Sequence, residues 1–403
     1  MLLRTRRAIS SQLFPLFAAQ APADFADWLD YVAIGALLAF TWQVDPFVFA
    51  CLAVCLGLPY LLVGPFAGVL IDRSDLKTVL VLSNLGRAIA TACLALASNW
   101  EILLLVVFLR SCSDAFFTPA KQAAIQSLTD EGNRMAVNGI SHAINQSSKI
   151  VAPALGGALL LVFPAHQIFL LNALVSLFAM FAAMLIRLPQ SCQSKGGSGV
   201  SLRSDLLIGW QEVRCKPTLK AAVFLMAAAF FSMFFYDTLI APLVKELSFS
   251  KTMFGYTLAA VGAGGVLGSL VFGTRKQRSS SFVLVARSAV LSGILAICLG
   301  VFEISRVNVA AEIILSIAFL IGFATASMLV PFRTVIQTET DPSRIARVSS
   351  LSEAMNTFAL LTAPFIGAAL ANATGIGAVF VVGGTLMIGV GVMAVCCFLK
   401  LKR

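Results

Sequence analysis

Long apolar runs recur along the chain and are separated by short polar or charged segments. The runs are roughly 20 residues each, the length that crosses a ~30 Å hydrocarbon layer, and they extend from about Phe14 to Phe398. Lipid cannot hydrogen-bond to bare backbone, so membrane-spanning segments of this kind are helical. The pattern predicts an all-α membrane protein with about twelve transmembrane helices.

The sequence also repeats itself. The segment SHAINQSSKIVAPALGGAL, which starts at Ser141, returns as SEAMNTFALLTAPFIGAAL from Ser352, an offset of 211 residues. Because six predicted helices separate the copies, both copies run in the same direction through the membrane, as in a parallel repeat. We therefore predict two six-helix halves, residues 1–188 and 220–403, joined by a cytoplasmic linker with an amphipathic helix at 189–219.

The composition indicates that lipid surrounds part of the protein, because 59% of residues are hydrophobic and the mean hydropathy is +0.92. The formal net charge of +10 could suggest nucleic acid, but most of the basic residues fall in alternate loops and tails. By the positive-inside rule, both termini face the cytoplasm, and we expect a multi-pass protein of the bacterial inner membrane. The charge therefore indicates orientation and does not indicate a nucleic-acid partner.

Signals for other functional classes are missing from the sequence. The nine cysteines show no metal-ligand spacing, and the two histidines form no HExxH pair. There is also no Gly-x-Ser-x-Gly elbow and no phosphate-binding Gly-x4-Gly-Lys-Ser/Thr loop. We predict neither an enzyme nor an ATP-driven pump, and we expect no cofactor and no metal. A receptor or scaffold remains the non-transport alternative.

Ionisable residues within membrane helices are costly and are functional candidates by default. The first helix carries Asp24, Asp27 and Asp30. A spacing of three residues turns successive side chains by about 60°, so at least two of these acids can face one cavity. The fourth helix adds Arg110 and Asp114 one turn apart. The alternative for each is a purely structural ion pair.

The fifth predicted helix carries an unusually polar stripe, and its repeat continues it in the second half. The candidate substrate-binding residues on these two helices are His142, Asn145, Gln146, Lys149, Glu353 and Asn356. A structural role is the commoner one for a lone histidine near the start of a helix. Lys149 suits an anionic group of a substrate or an acid on a neighbouring helix.

Two further sets of residues have a structural alternative. Phe231 and Phe235 belong to an aromatic run on helix seven that could stack a flat ligand, although packing is the commoner role. Pro153 with Gly156, and Pro364 with Gly367, occupy equivalent positions of the repeat. We expect these pairs to allow bending or close helix packing and so to act in gating.

A loop signature lies where the second predicted helix, about residues 46–71, meets the cytoplasm, and it reads GPFAGVLIDRSDLK from Gly64 to Lys77. Gly68 permits close helix contact, and Asp72 and Arg73 can pair and separate during a conformational cycle, which makes them gating candidates together with Lys77. Together with the duplicated halves, this signature resembles the G-x-x-x-D-R motif of the major facilitator superfamily over essentially the whole chain. The alternative is a solvated turn of charged residues.

Three segments narrow the resemblance. FADWLDYVAIGALL, AFFTPAKQAAI and IVAPALGGAL resemble the branch that holds enterobactin-type siderophore exporters and macrolide efflux pumps. The resemblance implies a secondary transporter that exports a siderophore or drug-like molecule by alternating access, coupled to protons. It also implies proton-coupling roles for Asp27, Asp24 and Arg110, with Arg110 opposite Asp27.

The substrate class has alternatives within the same fold. Siderophore import and lysophospholipid transport are both compatible with the sequence, and lysophospholipid transporters share a similar Pro-Ala-Lys segment. On any of these readings the partners are a small-molecule substrate, protons and membrane lipids, and we expect a monomer. Asp30 and Asp114 complete the candidate substrate-binding set.

Overall fold

The structure is a computed structural model of the 403-residue chain. It describes residues 2–129, 131–188, 210–274, 281–341 and 344–401, and these residues are helical apart from short connections, with no strand among them. The chain divides into two compact units. Unit 1 comprises Met1–Val44 and Val54–Ser198, and unit 2 comprises Asp45–Ala53 and Gly199–Arg403.

Seven helices precede the predicted linker: α1 (Leu2–Ala36), α2 (Pro46–Leu62), α3 (Gly64–Arg73), α4 (Leu76–Leu94), α5 (Trp100–Leu128), α6 (Glu131–Val162) and α7 (Ala165–Met184). A π-helical turn, Leu37–Thr41, extends α1. The predicted second span is divided into α2 and α3 at Val63, where Gly64 and Pro65 begin a new helix. Two of the described helices have a side-chain N-cap. Asp75 accepts a hydrogen bond from Thr78 N at 3.0 Å at the start of α4, and Asn99 accepts one from Ile102 N at 2.9 Å at the start of α5.

The helices after the linker are α8 (Pro217–Asp237), α9 (Ile240–Glu246), α10 (Lys251–Thr274), α11 (Ser281–Ile304), α12 (Ala311–Glu339), α13 (Ile345–Thr374) and α14 (Ile376–Leu401). Most of the predicted amphipathic linker lies outside the described residues, although residues 210–215 are helical. Gly375 separates α13 from α14 at φ 95°, a conformation that favours glycine.

Both units are built on the same internal packing. In unit 1, α1 packs against α6 and α7, α4 against α5 and α7, and α3 against α5. In unit 2, the corresponding contacts join α8 to α13 and α14, α11 to α12 and α14, and α10 to α12. The helix α12 also begins and ends 211 residues after α5, which is the offset of the sequence repeat. The chain is thus an all-α membrane protein made of two parallel six-helix pseudo-repeats.

Length and composition agree with membrane insertion. Among the described residues, eight helices are long and apolar enough to cross a membrane, and Pro46–Leu62 is a shorter apolar helix. Many large apolar side chains are also exposed, including Phe14, Phe66 and Phe178. A soluble protein rarely exposes apolar surface on this scale, whereas lipid covers it without cost.

Glycines hold the helices of unit 2 at close range. A Cβ atom added at Gly264 would collide with the Phe319 carbonyl, and one added at Gly322 would collide with the Val261 carbonyl, so α10 and α12 touch through their backbones. Gly293 and Gly384 approach each other in the same way between α11 and α14. Small residues allow this close approach in membranes, where dispersion forces between helices replace hydrophobic burial.

Unit 1 uses one such glycine where α6 crosses α1. A Cβ added at Gly156 would lie 3.0 Å from Leu29 Cδ1 and 3.3 Å from Val32 Cγ1. Its repeat equivalent, Gly367, lies against the Phe235 carbonyl, where α13 crosses α8. The two glycines therefore serve equivalent packing contacts, each within its own unit.

Candidate functional site

Three acids of α1 enter the interior of unit 1 at different depths of burial. Asp24 is 5% exposed and Asp30 is 1% exposed, whereas the side chain of Asp27 retains 40% of its surface. The three residues lie close to one side of the helix because they are three apart. Asp27 is therefore the least buried acid of this set.

Two buried arginines hold Asp27. Arg110, on α5, donates from Nη2 to Asp27 Oδ1 at 2.7 Å, and Arg87, on α4, donates from Nη2 to the same oxygen. Arg87 also donates to the Ala23 carbonyl at 2.8 Å, and its guanidinium lies 5.2 Å from the centroid of the Phe117 ring. Both arginines contact Oδ1 of Asp27, and neither guanidinium contacts its Oδ2.

Asp114 and Asp30 complete this group. Asp114 meets both arginines, with Arg87 Nε 2.7 Å from its Oδ1 and Arg110 Nη1 3.2 Å from its Oδ2. Asp30 meets only Arg110, whose Nε lies 3.0 Å from its Oδ2. We call Asp27, Asp30, Arg87, Arg110 and Asp114 the ion cluster; α1, α4 and α5 each contribute to it.

Polar side chains fix the edge of the ion cluster. Thr91, on α4, donates to Asp30 Oδ2 at 3.0 Å and accepts from Arg110 Nε at 3.1 Å. Asn172, on α7, donates to the Ala26 carbonyl at 2.8 Å, one turn before Asp30. These hydrogen bonds hold the charged groups in one geometry, which a charge buried among membrane helices requires.

A second polar group lies one turn along α1 from Asp27. Lys121, which is 7% exposed on α5, has its Nζ 3.8 Å from Asp24 Oδ1 and 5.6 Å from the centroid of the Phe117 ring. Gln20 donates to Asp24 Oδ2 at 2.8 Å and exchanges hydrogen bonds of 2.9 Å with Ser141 on α6. Asp24 thus has a cation of its own, separate from the arginines of the ion cluster.

The polar stripe on α6 is partly exposed. His142 is exposed and lies 3.2 Å from Gln146, between ring Nε2 and amide Nε2, and Asn145 is half-buried. The ammonium of Lys149 lies 5.8 Å from the centroid of the Trp28 ring. Since Trp28 follows Asp27 in sequence, α6 brings a cation against the residue next to the partly exposed acid of α1.

The predicted residues of unit 2 do not form a comparable charged group. Phe231 and Phe235 contact each other with ring centroids 6.3 Å apart on α8, and Phe235 is buried. Glu353 is exposed on α13, whereas Asn356 is 7% exposed and its Oδ1 accepts no hydrogen bond from the described residues. The structure gives Phe235 a packing contact with Gly367.

The predicted gating loop is described only in part. The structure gives the backbone of α3 up to Arg73, but the side chains of Asp72 and Arg73, and the surroundings of Gly68, lie outside the described residues. Lys77 is half-buried in the first turn of α4. Pro153 and Pro364 lie inside the unbroken helices α6 and α13.

Sequence reasoning missed two members of these groups, Arg87 and Lys121. Each is a single basic residue inside an otherwise apolar or small-residue stretch, LGRAIATA and TPAKQAAI. That isolation within a membrane helix is the signal that could have identified both. Among the described residues, no group of three or more histidine, cysteine, aspartate or glutamate side chains could hold a metal ion.

Comparison with known proteins gives the family. The model of the Major Facilitator Superfamily matches residues 16–301 and 223–403. The MFS-type transporter YfiS of Bacillus subtilis (strain 168), whose function is uncharacterized, is 29% identical over 94% of this chain and 92% of its own. Macrolide efflux protein A of Streptococcus pyogenes is 24% identical over 95% of each chain.

Other comparisons agree in fold. Multidrug resistance protein MdtG of Dickeya zeae (strain Ech586) is 23% identical over 84% of this chain and 81% of its own. The crystal structure of the nucleoside transporter NupG superposes with a TM-score of 0.75 at 13% identity, covering 96% of this chain and 99% of the other. With the duplicated helical units and the family match along most of the sequence, the chain belongs to the major facilitator superfamily, a family of multi-pass membrane transporters.

Proposed function

We propose that this chain is a secondary active transporter that exports a small, drug-like organic molecule by alternating access, in exchange for protons. The observation that carries the proposal is Asp27, a 40%-exposed carboxylate held by two buried arginines inside membrane helices. A purely structural ion pair would gain from complete burial and good geometry. An oriented, accessible carboxylate suits recognition of a positively charged group.

The surroundings of Asp27 narrow the substrate chemistry. Trp28 supplies an aromatic face, Lys149 a cation above that face, and Gln146 and His142 supply hydrogen-bonding groups on α6. Carboxylate, aromatic and ammonium groups in proximity suit an amphiphilic molecule with an amine and several oxygen atoms. A macrolide with a tertiary amine has this chemistry, and two of the relatives quoted above are named for macrolide or multidrug efflux.

The other substrates predicted from the sequence receive less support. Siderophores of the enterobactin type are anionic or neutral at physiological pH, and an exposed acid is poorly suited to them. An imported siderophore offers no cationic group to the Asp27 carboxylate, and a lysophospholipid offers one only through an ammonium in its headgroup. A receptor or scaffold would not need a group of five ionisable residues between its helices, four of them buried, which is costly to insert into lipid.

Cell location and assembly belong to the same proposal. We infer a bacterial inner-membrane location with both termini in the cytoplasm and a monomer as the working unit, and the basic residues in alternate loops support this orientation. The asymmetry between the units supports coupling through unit 1, because the ion cluster lies there. Phe231 and Asn356 remain the substrate-binding candidates of unit 2, offering apolar and amide contacts.

The test is a transport assay in proteoliposomes. Purified protein is reconstituted with an imposed pH gradient, and accumulation of radiolabelled erythromycin is measured together with proton flux from an internal pH-sensitive dye. We expect erythromycin and protons to move in opposite directions in the native protein. Asp27→Asn should abolish accumulation, whereas Asp45→Asn, the same chemical change at an exposed position, should preserve it.

Two results would overturn the proposal. Erythromycin movement without proton flux, unchanged in Asp27→Asn, would indicate a uniporter that does not use the acid. Absence of erythromycin movement combined with flipping of a fluorescent lysophospholipid would replace drug export by lipid transport.

A further inference from the structure

A short helical piece of the predicted linker is docked against unit 2. Residues 210–215, which we call the linker segment, are helical and end just before α8. Val213 is fully buried in the apolar core that Leu219 of α8 also enters. Glu212, beside it, is 4% exposed and pairs with Arg344, which precedes α13. These contacts fix one side of the linker segment to the body of unit 2.

The opposite side of the linker segment is exposed and carries an aromatic ring and a cation. Residues two apart on a helix point about 200° apart, so Arg214 lies opposite Glu212. Trp210 lies on the same side as Arg214 because the two are four residues apart. Arg214 is exposed, and Trp210 is 41% exposed. Arg214 forms no salt bridge with another described residue.

The first turns of α8 continue this exposed side. Lys220 and Phe224 are one turn apart on α8, and both are exposed. The Trp210 ring packs edge-on against the Phe224 ring, with the two centroids 6.1 Å apart. This contact joins the exposed side of the linker segment to the exposed side of α8. Lys220, like Arg214, forms no salt bridge within the described part of the chain.

The two cations start close enough to reach one headgroup. The backbone from Arg214 to Lys216 spans at most about 7 Å. Lys220 is one helical turn further, about 5.4 Å, and its N–H donates to the Lys216 carbonyl at 2.9 Å. Arginine and lysine also have long stems that carry their charge several ångströms from the backbone. A single phosphate can therefore accept hydrogen bonds from both side chains.

The charged groups around this turn are engaged on its buried side. Glu212 lies between two cations, with Lys216 Nζ 2.7 Å from its Oε1 and Arg344 Nη1 2.6 Å from its Oε2. Lys216 Nζ is also 3.6 Å from Asp341 Oδ1 and donates to the Glu339 carbonyl at 2.9 Å. These contacts hold the linker segment to the connection between α12 and α13. They leave the cations of the exposed side to an external partner.

The exposed side lies where a spanning helix leaves the lipid. Pro217–Asp237 is long and apolar enough to cross a membrane, and Phe224 lies only about 10 Å from its start. Tryptophan, with an apolar ring and an N–H donor, is favoured at the membrane–water boundary, where basic side chains extend to the level of the lipid phosphates. We call Trp210, Arg214, Lys220 and Phe224 the boundary face.

We propose that the boundary face binds an anionic phospholipid, one whose headgroup carries a phosphate and no ammonium group. Arg214 and Lys220 bind the phosphate oxygens, and the rings of Trp210 and Phe224 lie against the upper acyl chains. A zwitterionic headgroup fits less well because its ammonium would meet two cations. The lipid holds the linker segment from its exposed side, as Glu212 does from its buried side. The proposal does not depend on what the protein transports.

Fluorescence quenching by brominated lipids tests this site. The protein is reconstituted in phosphatidylcholine bilayers that contain a small, fixed fraction of brominated phosphatidylglycerol or the same fraction of brominated phosphatidylcholine. Bromine quenches a tryptophan only at close range. We expect brominated phosphatidylglycerol to quench more strongly, with a preference on the order of fivefold for each basic residue. The chain has four tryptophans, so Trp210→Phe should remove this difference if it arises at the boundary face.

Two double variants assign the preference to the cations. Arg214→Gln combined with Lys220→Gln should reduce the preference for phosphatidylglycerol nearly to the level of phosphatidylcholine. Lys245→Gln combined with Lys251→Gln removes the same charge beyond the opposite end of α8, in α9 and α10, and should keep the preference. Both double variants should keep the native melting temperature in lipid-free detergent, since neither pair of lysine or arginine side chains is buried.

Four results would overturn the proposal. They are equal quenching by the two brominated lipids, a preference that Trp210→Phe leaves unchanged, a preference that survives the Arg214 and Lys220 double variant, and an equal loss in both double variants, which would indicate a general effect of net charge. Soluble glycerol phosphate in excess should not abolish the preference. If it does, the ligand is a phosphate in solution and the lipid assignment fails.

Discussion

Arg87 Nε lies 2.7 Å from Asp114 Oδ1, and the two side chains are only 1% and 9% exposed. This ion pair joins α4 to α5 inside a membrane protein, where either charge alone would be strongly unfavourable. Through Asp27 the same arginine also joins α1. Arg87 is therefore the residue whose removal should disturb unit 1 most.

Replacing Arg87 by glutamine leaves two acids without one of their cations. We expect Arg87→Gln to lower the stability of the purified protein by about 3–5 kcal/mol, the usual effect of breaking a buried pair. Thermal unfolding in detergent, followed by size-exclusion chromatography, measures this loss. The matched control is Arg287→Gln, at an exposed position of α11. Equal stability of the two variants would contradict the role given to Arg87.

The pair between Asp24 and Lys121 should behave as a unit. Asp24→Asn and Lys121→Met each leave one buried charge without its partner, and we expect each to reduce stability. The double variant removes both charges and should recover part of the loss, with a coupling energy of roughly 0.5–3 kcal/mol. A double-mutant cycle of thermal stabilities measures the coupling, and strictly additive losses would show that the 3.8 Å contact contributes nothing.

The contact between α10 and α12 should not accept a side chain at Gly264. A Cβ there meets the Phe319 carbonyl and cannot be relieved by a rotamer change, so Gly264→Val should destabilise unit 2 by at least about 1–3 kcal/mol. At the neighbouring Gly265 an added Cβ would lie 3.8 Å from the Gly322 carbonyl, an ordinary contact. Gly265→Ala should therefore be tolerated. Comparable expression and melting temperature for both variants would argue against backbone contact at Gly264.

A group outside the membrane helices should make stability depend on pH. Glu212 Oε1 lies 2.7 Å from Lys216 Nζ and its Oε2 lies 2.6 Å from Arg344 Nη1, and hydrogen bonds from Lys216 and then Arg344 lower the pKa of Glu212 below its ordinary value of 4.5. Because the folded pKa lies below the unfolded one, this stabilisation is present above pH 4.5 and is lost as pH falls through the folded value. Glu212→Gln should remove that part of the pH dependence.

Thermal unfolding between neutral and acidic pH checks this prediction. Glu101→Gln, at an exposed position in the first turn of α5, is the control and should keep the native pH profile. An identical profile for Glu212→Gln and the native protein would show that the link from Glu212 to Arg344 carries no stability.

The architecture could be predicted from the sequence because its two strongest signals follow directly from the physical requirements of a membrane protein and from its repeat. Apolar runs of membrane length define helices, and the offset between Ser141 and Ser352 defines the repeat, which the structure reproduces in the bounds of α5 and α12. The sequence was less informative inside the second span. It predicts one helix there, whereas Gly64 and Pro65 start a separate helix, α3.

The ion cluster could be predicted only in part. Spacing along one helix groups Asp24, Asp27 and Asp30, and Asp27 does lie against Arg110. The participation of Arg87 depends on how α4 is rotated against α1 and α5, which a single sequence does not specify. For the same reason, the sequence did not separate Asp24, with its own lysine, from the acids that share the two arginines.

The glycine contacts of unit 2 also bear on how this protein can be re-engineered. Positions such as Gly264, Gly293, Gly322 and Gly384 touch backbone across the seams between helices, so we expect random mutagenesis there to yield mostly misassembled protein. The half-buried positions of α6, such as Asn145 and Gln146, carry no such constraint. A library meant to broaden or redirect the range of transported compounds should leave the glycine seams fixed and diversify α6.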